Sequence, residues 1–188
     1  MDFKTRAASR EKLRQLANVF DILCNTEDLL YKPVVYLLDK IQEFIPFVHY
    51  SIVENNVLPR NVFGRGYFYN DNNDYMIEIP DFVYEGAING IGAYRGFIMH
   101  EIFHAFLLMV GYTPILKRSF NDFELHPFES IEWQVKCITG EYMVNYELTK
   151  GMNVSEIVEC CGVSKGFAKS RTKLDQEVYT CKINQGKK

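Results

Sequence analysis

Apolar positions along the chain follow two periods, and the change between them marks out the architecture. Residues 10–24 place Leu13, Leu16, Ala17, Phe20 and Leu23 at three- and four-residue steps among Arg, Lys and Gln, the pattern of a helix laid on a core. A second helix is predicted after Pro33, through Val35, Leu37, Leu38, Ile41 and Phe44, because proline suits a first helical turn. From His49 to Pro80 the chain is rich in Tyr, Phe, Val and Ile around Gly64, Gly66 and a polar cluster at 70–74, which predicts strands about a turn. Two of these strands, near 66–69 and 75–79, should form a hairpin.

Gly86, Gly90 and Gly92 then read as a break before a long apolar helix predicted over 93–110, ended by Gly111 and Pro114. A loop with Lys117, Arg118, Asn121 and Asp122 follows, and Pro127 opens a helix expected over 128–148. Two short helices are predicted over 154–161 and 165–179, with Gly162 as C-terminal cap and Ser164 as N-cap. The expectation is one α+β domain: helices over 1–45, a core over 46–150 and a helical tail over 151–188. Its small, mostly antiparallel sheet should pack against the long helix and the helix that follows.

Composition narrows the class. With 188 residues and 47% hydrophobic content the chain can bury a substantial core, and a net charge of −3 argues against a general footprint for nucleic acid. Seven Lys/Arg against four Asp/Glu in the last 38 residues make only a small local excess. No apolar run approaches a membrane span, and the first residues carry no apolar leader. Five scattered cysteines without CxxC spacing predict reduced thiols in a cytoplasmic protein.

The chemistry concentrates at His100-Glu101-Ile102-Phe103-His104. Positions i and i+4 are neighbours on a helix, so both imidazoles can reach one Zn2+ while Glu101 faces a water as general base. The flanking residues are strongly apolar, and polar groups inside such a helix need a partner that a metal supplies. A catalytic zinc needs a third protein ligand. Val110 stands where a metzincin would place a third histidine, which excludes that solution. The helix after Pro127 offers Glu132, on the border of the face marked by Phe128, Ile131, Val135 and Ile138, with Glu129 and His126 as alternatives.

These residues resemble a known family. Arg95-Gly96-Phe97-Ile98-Met99-His100-Glu101-Ile102-Phe103-His104 is similar to the segment that opens the active site of ImmA/IrrE-type metallopeptidases, and Glu132-Trp133-Gln134-Val135 is similar to their ExxA stretch. Gly162-Val163-Ser164, Ala168, Arg171 and Leu174 resemble the helical tail that closes those domains. The resemblance implies His100, His104 and Glu132 as zinc ligands and Glu101 as base. It further implies a cytoplasmic endopeptidase, of a kind carried by bacteria and mobile elements, that cleaves a regulatory protein such as a helix-turn-helix repressor. Phe103 and Lys136 depart from the family pattern and are expected to alter the surroundings of the site.

Two other readings compete. Residues 154–171, with Lys165, Lys169, Arg171 and Lys173 on the second helix, read like a helix-turn-helix, which would make the chain a DNA-binding or protein-interaction module on a metallopeptidase scaffold. A purely structural zinc is the third, disfavoured because such sites use cysteine and none lies near the motif.

Overall fold

The computed structural model describes residues 2–69, 74–115 and 126–174. Its first helix, α1 (Arg10–Cys24), starts where the Ser9 hydroxyl accepts the Lys12 N–H at 3.2 Å and stops where Asn25 takes a left-handed φ of 52°. Leu13, Leu16, Ala17 and Phe20 are buried as the spacing predicts, but Leu23 is exposed and Cys24 ends the stripe. The helix expected after Pro33 comes as two pieces, α2 (Val34–Asp39) and α3 (Ile41–Phe44), parted at Lys40.

Strands β1 (Val48–Val53), β2 (Arg65–Phe68) and β3 (Tyr75–Pro80) make one mixed sheet in the order β1-β3-β2. The pairing expected of the hairpin is present: β2 runs antiparallel to β3, and its register is pinned where Arg65 and Tyr67 both donate to Glu78. The turn residues 70–73 lie outside the described residues. A mostly antiparallel sheet is not what forms, because β1 pairs with β3 in parallel from Val48–Tyr75 to Val53–Pro80, the longer of the two ladders. After β1 the chain skips one position and lays β2 on the far edge, leaving the middle for β3. Side-chain alternation reports which face of a strand is buried and says nothing of which neighbour it takes.

A helix, α4 (Asp81–Ile88), stands where the glycines were expected to break the chain. Gly86 lies inside it, since a β-carbon there would fall 2.1 Å from the Tyr94 ring. The glycine therefore marks a close helix contact. The next helix, α5 (Gly92–Met109), matches its prediction to within a residue at each end. Ile98, Met99, Ile102, Phe103, Ala105, Phe106 and Leu107 are all buried, as befits a helix apolar on most of its sides. Phe103 and Phe106 meet Phe20 of α1 at ring centroid distances of 5.0 and 4.9 Å, and Phe103 meets Tyr142 at 5.4 Å.

The helix expected over 128–148 is broken twice. Pro127–Glu129 form a single 3-10 turn, and the α-helix proper, α6 (Ile131–Met143), starts after Ser130, whose hydroxyl accepts the Trp133 N–H. Asn145 then caps a short α7 (Tyr146–Thr149). In the tail, α8 (Val154–Cys161) ends at Gly162 with φ 60°, and Ser164 accepts the Phe167 N–H at the head of a helical segment described over 165–174. Both caps fall where the sequence placed them, and the remainder to 179 lies outside the described residues. Among the described residues no helix is long and apolar enough to cross a membrane.

Candidate metal centre

The two histidines of α5 lie one turn apart, and α6 crosses so that its first-turn Glu132 meets them. His100 Nε2 lies 3.3 Å from Glu132 Oε2, His104 Nε2 lies 3.3 Å from Glu132 Oε1, and the two imidazole nitrogens are 3.2 Å apart. Hydrogen bonds from His100 first, then His104, hold the Glu132 carboxyl well below the usual carboxylate range.

The donor set fits zinc. Ligand bonds of about 2.0–2.1 Å at tetrahedral angles put neighbouring donor atoms about 3.3 Å apart, close to the 3.2 Å between the two imidazole nitrogens and the 3.3 Å from each of them to its nearer Glu132 oxygen. Two imidazole nitrogens and a carboxylate converging on one point are also a known ligand set for a site that keeps a fourth position open. The two alternative ligands are placed elsewhere. Glu129 pairs with Lys4 at 2.6 Å, and the exposed His126 lies flat on Phe128 at 5.3 Å.

Three features of the site escape sequence reasoning. The first is a strap of residues 2–8 running antiparallel to 128–131, with the Thr5 and Ala8 N–H groups donating to the Glu129 and Phe128 carbonyls. The Asp2 carboxylate at its end accepts from the Ser130 hydroxyl and from the Glu132 N–H, so the strap holds the first turn of α6. The second is Tyr75 at the start of β3. It is 7% exposed and lines a cleft of about 590 Å³ together with Phe3, His100, Glu101, His104 and Glu132. Burial first, then the nearby Glu101 and Glu132 carboxylates, push its phenol above the ordinary value, so it stays protonated.

The third feature is a pair of glycines that face these side chains. A β-carbon at Gly64 would fall 2.7 Å from Glu101 Cγ, and one at Gly66 would fall 2.1 Å from the Tyr75 hydroxyl. Two glycines spaced by one residue at the start of a strand are the signal that could have located this wall. Glu101 itself is pushed up to about 7 by burial, reinforced by the Glu132 carboxylate and opposed by His100. A carboxylate so tuned is suited to accepting and returning a proton near neutrality.

The residues that depart from the family pattern lie apart from this cleft. Phe103 is fully buried against Phe20, Phe106 and Tyr142, and Lys136 is exposed beside a neighbouring cavity. In the tail, Lys165, Lys169 and Lys173 are exposed, but Arg171 is 2% exposed and bonds to Glu141. No protein-family model, curated protein or solved structure matches the chain.

Proposed function

We propose that this protein is a zinc-dependent endopeptidase, with His100, His104 and Glu132 as the metal ligands and Glu101 as the general base. The observation that carries the reading is the convergence of two imidazole nitrogens, 3.2 Å apart, on the Glu132 carboxylate, each 3.3 Å from one of its oxygens, in one cleft with the Glu101 carboxyl and a buried phenol. A zinc ion held there would supply a Lewis acid and make water a nucleophile at neutral pH. Glu101 takes the proton of the attacking water and returns it to the leaving amine, a transfer favoured by its raised pKa. The Tyr75 hydroxyl faces the same space and donates to the oxyanion that develops on the scissile carbonyl. β2 is an edge strand whose Arg65 and Gly66 line the cleft, so an extended peptide can add to the sheet beside the ligands.

The order of motifs supports the resemblance to ImmA/IrrE-type metallopeptidases, and with it a regulatory protein substrate such as a helix-turn-helix repressor in the cytoplasm. The experiment is metal analysis of the purified protein, followed by co-expression with the product of the neighbouring gene. The expected result is near-stoichiometric zinc, and cleavage that Glu101→Gln abolishes while leaving the zinc in place. Absence of any divalent metal would overturn the reading.

A further inference from the structure

A second cavity, of about 680 Å³, opens beside the cleft and shares two of its walls, Phe97 and His100. It lies between α5, α6 and the helical tail. On α5 the lining residues Ala93, Gly96, Phe97 and His100 recur at helical spacing, and on α6 Trp133, Cys137 and Gly140 do the same, so one face of each helix is given over to it. Phe167 and Leu174 of the tail complete the apolar wall. The stacking of Phe63 on Phe97, with centroids 4.4 Å apart and planes 7° apart, makes the partition towards the cleft.

Among the described residues its charges are of one sign: Arg10, Lys136 and Arg171 line the cavity and no described carboxylate does. Glu141 lies behind them and accepts from Arg10, Arg14 and Arg171. Lys136 adds a further positive charge at the exposed rim. An apolar interior under a cationic rim is complementary to a ligand with an apolar body and an anionic end.

We infer that this cavity is the substrate subsite next to the scissile bond and that it receives one large aromatic or long aliphatic side chain, with an acidic residue or a terminal carboxylate beside it at the rim. The inference rests on the endopeptidase reading for its role. A peptide whose carbonyl lies at the His100–His104–Glu132 centre passes His100, and from there a side chain has only the Phe97 edge to round. Glycine at position 96 keeps the interior open, because a β-carbon there would meet nothing within 4 Å.

Trp133 is the only tryptophan of the chain and lines the cavity, so its fluorescence reports occupancy without any need for metal or turnover. The test titrates chelator-treated protein with 3-phenylpropionate, 3-phenylpropanamide and propionate. The expected result is a saturable change with the aromatic acid at millimolar concentration, binding at least threefold weaker for the amide, and none for propionate. Gly96→Leu, which improves helix propensity while filling the cavity, should weaken the aromatic acid at least tenfold with the helical circular dichroism retained. Lys136→Gln should bring the acid down to the level of the amide.

A second arm uses zinc-loaded protein and a quenched peptide library. Peptides with Phe or Leu beside the cut should be preferred over Ala, and Gly96→Leu should reverse that preference. A fluorescence response that is absent, or indifferent to Gly96→Leu, overturns the inference even if peptides are cleaved. Binding of the aromatic acid by a protein that holds zinc yet cleaves nothing overturns the endopeptidase reading and the subsite role with it.

Discussion

Gly64 abuts Glu101: the position a β-carbon would take at residue 64 lies 2.7 Å from Glu101 Cγ and 3.2 Å from its Oε1. The loop before β2 therefore sets where the carboxyl can stand, although it supplies no reacting group. Gly64→Ala should push Glu101 aside without touching a ligand. Zinc content should stay near that of the wild type while kcat falls by about tenfold to a hundredfold, in line with the sensitivity of positioned catalytic groups to small displacements. Metal analysis beside single-turnover cleavage checks it, and parallel loss of zinc would contradict it.

Tyr75→Phe removes one oxygen and keeps the ring that pairs with Phe68 at 5.3 Å. If the phenol donates to the oxyanion, kcat should fall by about 10²–10³, the usual effect of deleting one such donor, with KM little altered. A phosphinic peptide, which mimics the tetrahedral oxyanion, should lose affinity for zinc-loaded Tyr75→Phe, whereas a thiol ligand of zinc should not. Equal losses for both would point to a structural role.

Phe103 departs from the pattern of the family the chain resembles, and its ring belongs to the cluster with Phe20, Phe106 and Tyr142. Phe103→Ala should destabilise the fold by about 3–5 kcal/mol, the range for a buried aromatic truncated in a core. Urea denaturation measures this. Zinc affinity of the fraction that remains folded should be close to that of the wild type.

Glu141 ties α1, α6 and the tail together through Arg10, Arg14 and Arg171. Burial alone would raise its pKa, but the charge of Arg171 and the hydrogen bonds from Arg14 and Arg10 outweigh it and hold it below the ordinary value. A depressed folded value means that the group stabilises the fold fully above its unfolded pKa of about 4.3, and that this contribution is lost as pH falls through the folded value. Glu141→Gln should therefore be much less stable than the wild type at pH 7, with the gap closing as pH drops below about 4. Denaturation curves at a series of pH values check the direction, and a gap that widens on acidification would contradict it.

The gathering of His100, His104 and Glu132 was legible in the sequence to different depths. His100 and His104 follow from helical spacing alone, and α5 appears where its apolar run and its bounding glycines place it. Glu132 was favoured over Glu129 and His126 by the periodicity of its helix, and the structure brings that residue to the histidines while Lys4 holds Glu129. The caps at Gly162 and Ser164 were legible because each rests on a local conformational preference.

Long-range relationships were not legible. The parallel pairing of β1 with β3 depends on a skipped strand position, which leaves no mark on alternation. Tyr75 is one of twelve tyrosines, and only the fold aims it at Glu101 and Glu132. Gly86 read as a break because a glycine required by a neighbouring ring and one required by a turn look alike in sequence.

The strap that ends at Asp2 has a practical consequence for handling the protein. Asp2 grips the Glu132 turn and Phe3 borders the cleft, so any polypeptide joined ahead of residue 2 starts beside that cleft. A polyhistidine tag fused there would offer surplus imidazoles to an ion bound at the proposed centre, confusing metal stoichiometry with tag chelation. It would also crowd the groove in which a peptide must lie. Purification handles belong at the other terminus, and a tag-free sample is the proper reference for every zinc measurement.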